Sequence, residues 1–117
     1  MKTSTTRKSA FTLVEIMIVV AIIGMLAAIA IPNFVKARSV SAKNACIANL
    51  KQIEGAKATW ALEQKKSTTD LPAPGDLYGT ANYIRDEPLC PLNGIYDIRE
   101  VQFKPECSEG PTSGHTL

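Results

Sequence analysis

Apolar and polar positions divide the chain into four zones with different periodicities. Residues 1–10 are polar and basic, and residues 11–31 form an almost unbroken apolar run, FTLVEIMIVVAIIGMLAAIAI, in which Glu15 is the only charge. A helix of this run would be about 31 Å long, which is enough to span a bilayer. The first two zones therefore predict a short basic flank followed by a membrane-spanning helix.

Residues 32–66 form the third zone and have the periodicity of an amphipathic helix. Apolar residues recur at helical spacing on one stripe, whereas most lysines of the zone lie off it. The residues of this stripe are Ala42, Cys46, Leu50, Ile53, Ala56 and Trp60. We therefore predict one long helix, from residue 11 to about residue 66, whose second half buries one face.

Residues 67–117 form the fourth zone, in which turn-forming residues dominate. Six of the seven prolines and five of the seven glycines lie here. Residues 94–104 alternate partly between apolar and polar, and the preceding Asn93-Gly94 pair is a hairpin signal. We predict a short β-hairpin or small sheet packed on the helix stripe, and hence an α+β fold.

Gly24 and Pro32 mark the weakest part of the predicted helix. Proline removes a backbone hydrogen bond and collides with the carbonyl four residues earlier. Glycine lowers helix stability at a second position of the same segment. We expect the helix to bend or open between these two residues.

Charge placement predicts how the chain is oriented in a membrane. Lys2, Arg7 and Lys8 precede the apolar run without any acidic residue among them, a pattern that keeps the N-terminus in the cytoplasm. The rest of the chain has ten basic and eleven acidic side chains. This balance argues against nucleic-acid binding. The C-terminal zone offers only Arg85, Arg99 and Lys104 to a basic patch.

Glu15 is the most informative residue of the apolar run. A carboxylate at membrane depth costs on the order of 3 kcal/mol, so such a residue has a functional role by default and requires a partner. The segment around it, Ser9-Ala10-Phe11-Thr12-Leu13-Val14-Glu15, resembles the prepilin processing motif of type IV pilins and of type II secretion pseudopilins.

The resemblance implies cleavage between Ala10 and Phe11, followed by N-methylation of Phe11. It also implies that Glu15 neutralises the new amine of Phe11 on a neighbouring subunit during assembly. The family normally has glycine before the cut, so Ala10 is a departure, and we expect slower processing. The implied partners are further copies of the chain, a prepilin peptidase and methylase, an inner-membrane assembly platform and a cytoplasmic ATPase.

The implied function is that of a structural subunit and not of an enzyme. A subunit stored as a single-pass protein of the inner membrane would enter a periplasmic or surface filament. The short C-terminal zone favours a type II secretion pseudopilin over a type IV pilus subunit or a minor pilin for adhesion or DNA uptake. Two further interpretations are a secretory signal peptide, for which Ala28-Ile29-Ala30 would be the cleavage site, and a signal anchor that never assembles.

Three cysteines leave two chemistries open in the C-terminal zone. A disulfide between Cys90 and Cys107 would contribute roughly 3 kcal/mol to a small exported domain. The alternative is a metal site using these two residues and His115, with Cys46 or an acid as fourth ligand, although the spacing matches no common zinc pattern. We favour the disulfide, with Cys46 in the core and His115 in a mobile C-terminal tail.

Other cofactor chemistry has weaker support. Because major pseudopilins often hold calcium in a C-terminal loop, the resemblance raises calcium binding by Asp76, Asp86, Glu87 or Asp97, but these acids form no clear ligand loop. We therefore expect no bound cofactor. With one histidine and no glycine-rich phosphate loop, the sequence offers no catalytic set.

Overall fold

The computed structural model describes residues 9–117, so the basic flank and most of the predicted leader lie outside the described residues. The described elements are α1 (Leu13–Glu63), α2 (Pro74–Leu77), β1 (Tyr96–Asp97), β2 (Glu106–Cys107) and α3 (Gly110–Ser113). The α+β class and the long N-terminal helix are confirmed. The chain divides into two compact units, one extending to Ala37 and the other formed by Arg38–Leu117.

The N-terminal unit is the first part of α1, and its apolar side chains are exposed. The large apolar residues from Phe11 to Val35 are each between 51 and 82% exposed. The helix is long and apolar enough to cross a membrane. Gly24 and Pro32 both lie within α1, so the helix is not interrupted there, and bending at these positions stays a prediction.

The unit formed by residues 38–117 has its core on the predicted stripe of α1. Five of the six stripe residues are buried, and Ala42 is half-buried. The largest apolar cluster joins three stripe residues to three residues of the C-terminal zone: Ile53, Ala56, Trp60, Leu77, Ile84 and Ile98. The amphipathic interpretation of this segment is therefore confirmed.

Helix α1 ends at Glu63, slightly before the predicted boundary. Lys65 adopts a φ of 51°, in the left-handed region where helices commonly terminate. The backbone N–H of Lys66 then donates to the carbonyl of Ala61 at 2.9 Å. This bond satisfies one of the carbonyls that a helix C-terminus leaves without a partner.

The predicted hairpin is present, but each strand is only two residues long, and its turn does not lie at Asn93-Gly94. Strands β1 and β2 pair antiparallel, with Tyr96 opposite Cys107 and Asp97 opposite Glu106. The connection between them is formed by residues 98–105. Asn93-Gly94 precedes both strands, and the N–H of Asn93 donates to the Cys90 carbonyl at 3.0 Å. The expectation that Asn93-Gly94 turns the hairpin was therefore wrong.

Buried Lys57 binds the connection between β1 and β2, beyond the last residue pair of the ladder. Its ammonium group donates to the carbonyls of Ile98 at 2.9 Å and Glu100 at 3.0 Å, and also to the carbonyl of Phe103. Three backbone carbonyls of the connection therefore accept hydrogen bonds from a side chain of α1, and not from the backbone of a longer sheet. Lys57 is 1% exposed, and burial lowers its pKa.

Candidate functional site

The predicted processing and assembly residues lie at the start of α1. Ala10 and Phe11 precede the helix and are exposed, with Phe11 82% exposed. The peptide bond between them is thus outside the helical hydrogen-bond ladder, where a peptidase can bind an extended segment. Cleavage at this bond and methylation of Phe11 stay predictions.

Glu15 has a partner within its own chain that the sequence analysis did not identify. The Thr12 backbone N–H donates to Glu15 Oε2 at 2.8 Å, and the Glu15 N–H donates to Thr12 Oγ1 at 3.3 Å. This reciprocal pair is a capping box, which satisfies two backbone donors at a helix start. The Thr-x-x-Glu spacing is visible in the sequence and could have predicted it.

Four side chains of types that can bind a metal meet in the C-terminal unit, and they form the second candidate site. Their ligand atoms all lie within 4.8 Å of one another, and all four residues are buried. Cys46 lies on α1 and Cys90 in the loop before β1. Cys107 lies on β2, and His115 follows Gly114 at the C-terminal end of α3. We call this group the Cys3His cluster.

The predicted disulfide partners are neighbours within this cluster. Cys90 Sγ and Cys107 Sγ are 3.7 Å apart, compared with about 2.05 Å for a disulfide bond. Both residues and Cys46 are free thiols in the structure. Proximity of the pair follows from the fold, whereas a covalent bond between them stays a prediction.

The expectation of a mobile tail at His115 was wrong. The residue is 1% exposed, and its Nδ1 lies 3.9 Å from Cys90 Sγ. Helix α3 is terminated by Gly114, which adopts a φ of 67°. This left-handed conformation, which favours glycine, reverses the chain so that the next residue enters the core. A Gly-His pair after a short proline-containing helix was the available sequence signal.

Electrostatics differ among the three thiols. Burial raises the pKa of Cys46 to about 12 and also raises that of Cys107. Burial acts in the same direction on Cys90, but backbone hydrogen bonds from Leu92 and Gly94 oppose it, and the pKa of this thiol is lowered. Thiolate at Cys90 is therefore stabilised by its own loop.

The acidic residues considered for calcium and the basic residues considered for nucleic acid do not form a common site among the described residues. Asp76 accepts a hydrogen bond from the Ala73 N–H at 2.9 Å, and Asp97 accepts one from the Arg99 N–H at 3.2 Å. Across residues 9–117, the structure does not gather the four candidate calcium ligands into a group. Arg99 pairs with Glu106 at 2.5 Å, which reduces the basic patch.

Two comparisons with known proteins give matches. The family described as the prokaryotic N-terminal methylation motif matches residues 5–31. The type IV major pilin protein PilA of Myxococcus xanthus is 48% identical over 60 residues, which is 51% of this chain. The match spans only 27% of that relative's length. No solved structure matches the chain significantly.

Proposed function

We propose that this chain is a type IV pilin-like structural subunit that polymerises into a filament through the first part of α1. The observation that carries the proposal is the exposed apolar surface of that segment, next to a single carboxylate. An aqueous environment does not stabilise a surface of this size and composition. A bilayer before assembly and the helices of neighbouring subunits after it would both cover this surface.

Glu15 would supply the contact that sets the register between subunits. Cleavage before Phe11 creates an ammonium group that methylation leaves charged, and a carboxylate on a neighbouring chain is its natural partner. The capping box uses only part of the acceptor capacity of the Glu15 carboxylate, because an ionised carboxylate has about four lone-pair sites. Capping of its own helix and pairing with another chain are therefore compatible.

The substitution Glu15→Gln separates these two roles. Glutamine keeps the capping box but removes the charge. We expect the variant to insert and be processed normally, while filament yield falls by about tenfold or more, which corresponds to a loss of at least about 1.4 kcal/mol. The measurement is the ratio of sheared filament to membrane-bound subunit.

The matched control is Thr12→Val, which removes the hydroxyl of the capping box and keeps the charge. It should reduce helix stability by about 1 kcal/mol and leave filament yield close to wild type. Wild-type assembly of Glu15→Gln together with failure of Thr12→Val would assign Glu15 to capping alone, and the pairing mechanism would then be wrong.

More specifically, we propose that the filament is the pseudopilus of a type II secretion system. The pairing of Arg99 with Glu106 supports an internal filament over an adhesive or DNA-binding one, because it reduces the basic charge that the C-terminal zone offers. A surface type IV pilus is the second candidate, favoured by the similarity to the Myxococcus xanthus major pilin. Deletion of the gene decides between them: loss of protein secretion supports the first, and loss of surface filaments supports the second.

A further inference from the structure

We propose that the unit formed by residues 38–117 binds one zinc ion through the four buried side chains of the Cys3His cluster: Cys46, Cys90, Cys107 and His115. This inference goes beyond the filament function and does not depend on it. Three thiolates and one neutral imidazole are a common ligand set of structural zinc sites. On binding, the three thiols would release their protons to solvent.

Distances within the cluster fit a tetrahedral ion. With Zn–S bonds of about 2.3 Å and a Zn–N bond of about 2.0 Å, the tetrahedral edges are about 3.8 Å between sulfurs and about 3.5 Å between sulfur and nitrogen. The observed edges are 3.7 Å for the Cys90–Cys107 sulfurs and 3.9 Å from Cys90 Sγ to His115 Nδ1. The remaining edges require at most about 1.0 Å of closure between two sulfurs and about 1.3 Å between a sulfur and the nitrogen, since no pair exceeds 4.8 Å.

Gly94 makes this close approach sterically feasible. A Cβ atom at this position would lie 2.7 Å from Cys107 Sγ and 3.1 Å from Cys90 Sγ. The first distance is too short for a side chain to coexist with the present position of the Cys107 sulfur, and the second would require a small shift of the Cys90 sulfur. The absence of a side chain at Gly94 thus permits the loop to wrap the two sulfurs.

Tyr96 packs against the buried cluster that contains the three cysteines. Its hydroxyl oxygen accepts a hydrogen bond from Asn49 Nδ2 at 3.0 Å, which holds the ring in place beside the sulfurs.

A disulfide explains less of this arrangement than a metal does. A bond between Cys90 and Cys107 would use two of the four converging atoms and would leave the Cys46 thiol and the His115 ring without a shared partner. Zinc would use all four. It would also join α1 to three separate points of the C-terminal segment, whose described strands are only two residues long. Metal binding of this kind stabilises small domains whose hydrophobic core is limited.

The first test needs no variant. Full-length protein should be purified in detergent from cells grown with zinc, without chelators, and its metal content measured by mass spectrometry. We expect about one zinc ion per chain. X-ray absorption at the zinc edge should show three sulfur atoms at about 2.3 Å and one nitrogen at about 2.0 Å.

The variants Cys46→Ser and His115→Gln distinguish zinc from a disulfide, because a Cys90–Cys107 bond needs neither residue. Each should lower zinc content to about a tenth of wild type or less. The control is Thr116→Ser, an exposed neighbour of His115, which should retain the metal. Binding of cobalt, followed by its visible absorption, reports the ligand set in variants that still fold.

Three results would overturn the proposal. One is wild-type protein without metal whose three thiols all react with a label. Another is a mass two hydrogens lower under non-reducing conditions, with the link mapped to Cys90 and Cys107. The third is an unchanged zinc content in Cys46→Ser and His115→Gln. Filament yield enters none of these measurements, so failure here leaves the proposed assembly function intact, and the reverse also holds.

Discussion

The two units of this chain place polar and apolar groups in opposite ways. The N-terminal unit exposes almost every large apolar side chain from Phe11 to Val35, and its structure is a helix whose backbone is satisfied internally. The unit of residues 38–117 buries a lysine and a histidine among apolar residues. The first unit therefore requires cover from its surroundings, whereas the second is held together by particular polar contacts. Substitutions should affect the two units very differently.

Removal of the buried ammonium should give the largest effect on stability. In Lys57→Met the side-chain volume is nearly kept, but three carbonyls of the loop lose their donor. We expect a loss of about 2–4 kcal/mol, since each buried polar group without a partner costs about 1–3 kcal/mol and the loop can relax toward water. Urea unfolding of the full chain in detergent measures it.

The control for this prediction is Lys51→Met on the same helix, where the lysine is exposed and the change should stay within about 0.5 kcal/mol. Equal stability of the two variants would mean that the three carbonyl contacts do not hold the loop.

Gly94→Ala should give a smaller loss, confined to the sulfur-bearing loop. The new methyl group would displace one of two sulfurs, at a cost of about 1–3 kcal/mol. Gly55→Ala is the matched control, because a Cβ there meets nothing within 4 Å and should stabilise the helix by up to about 1 kcal/mol. Thermal unfolding of both variants provides the comparison, and a neutral Gly94→Ala would show that the loop packs less tightly around the sulfurs.

Ala10→Gly should leave the stability of both units unchanged and alter only processing. Glycine is the residue that the resembled motif normally has at this position, so we expect faster conversion of precursor. Mass spectrometry of the membrane protein should find a methylated N-terminus at Phe11 in both forms. An N-terminus at Ile31 would indicate ordinary secretion instead, and one at Met1 would indicate a simple anchor.

Sequence patterns predicted the parts of the fold that repeat along one element. The stripe on α1 follows from helical periodicity. The Thr-x-x-Glu spacing at the start of α1 was also present in the sequence, but it was not recognised as a capping box. Lys57 and His115 were not predicted to be buried, because lysine is almost always exposed and histidine often is, and only tertiary contacts supply their partners. The Cys3His cluster was only partly foreseen: its residues come from α1, a loop, β2 and the end of the chain, and sequence spacing does not encode that convergence.

The capping box at the start of α1 has a consequence for symmetry. Cleavage after Ala10 would leave the new amine next to the positive end of the helix dipole, where a cation is disfavoured, whereas Glu15 lies in the first turn, where an anion is favoured. Each subunit would then present an unfavourably placed cation and a well-placed anion on the same helix end. A contact that pairs the cation of one copy with the anion of the next is heterologous, and such contacts that do not close into a ring build open helical assemblies. The last subunit of such an assembly leaves one of its two charges unpaired. The sign of that charge would determine the end at which the next subunit adds.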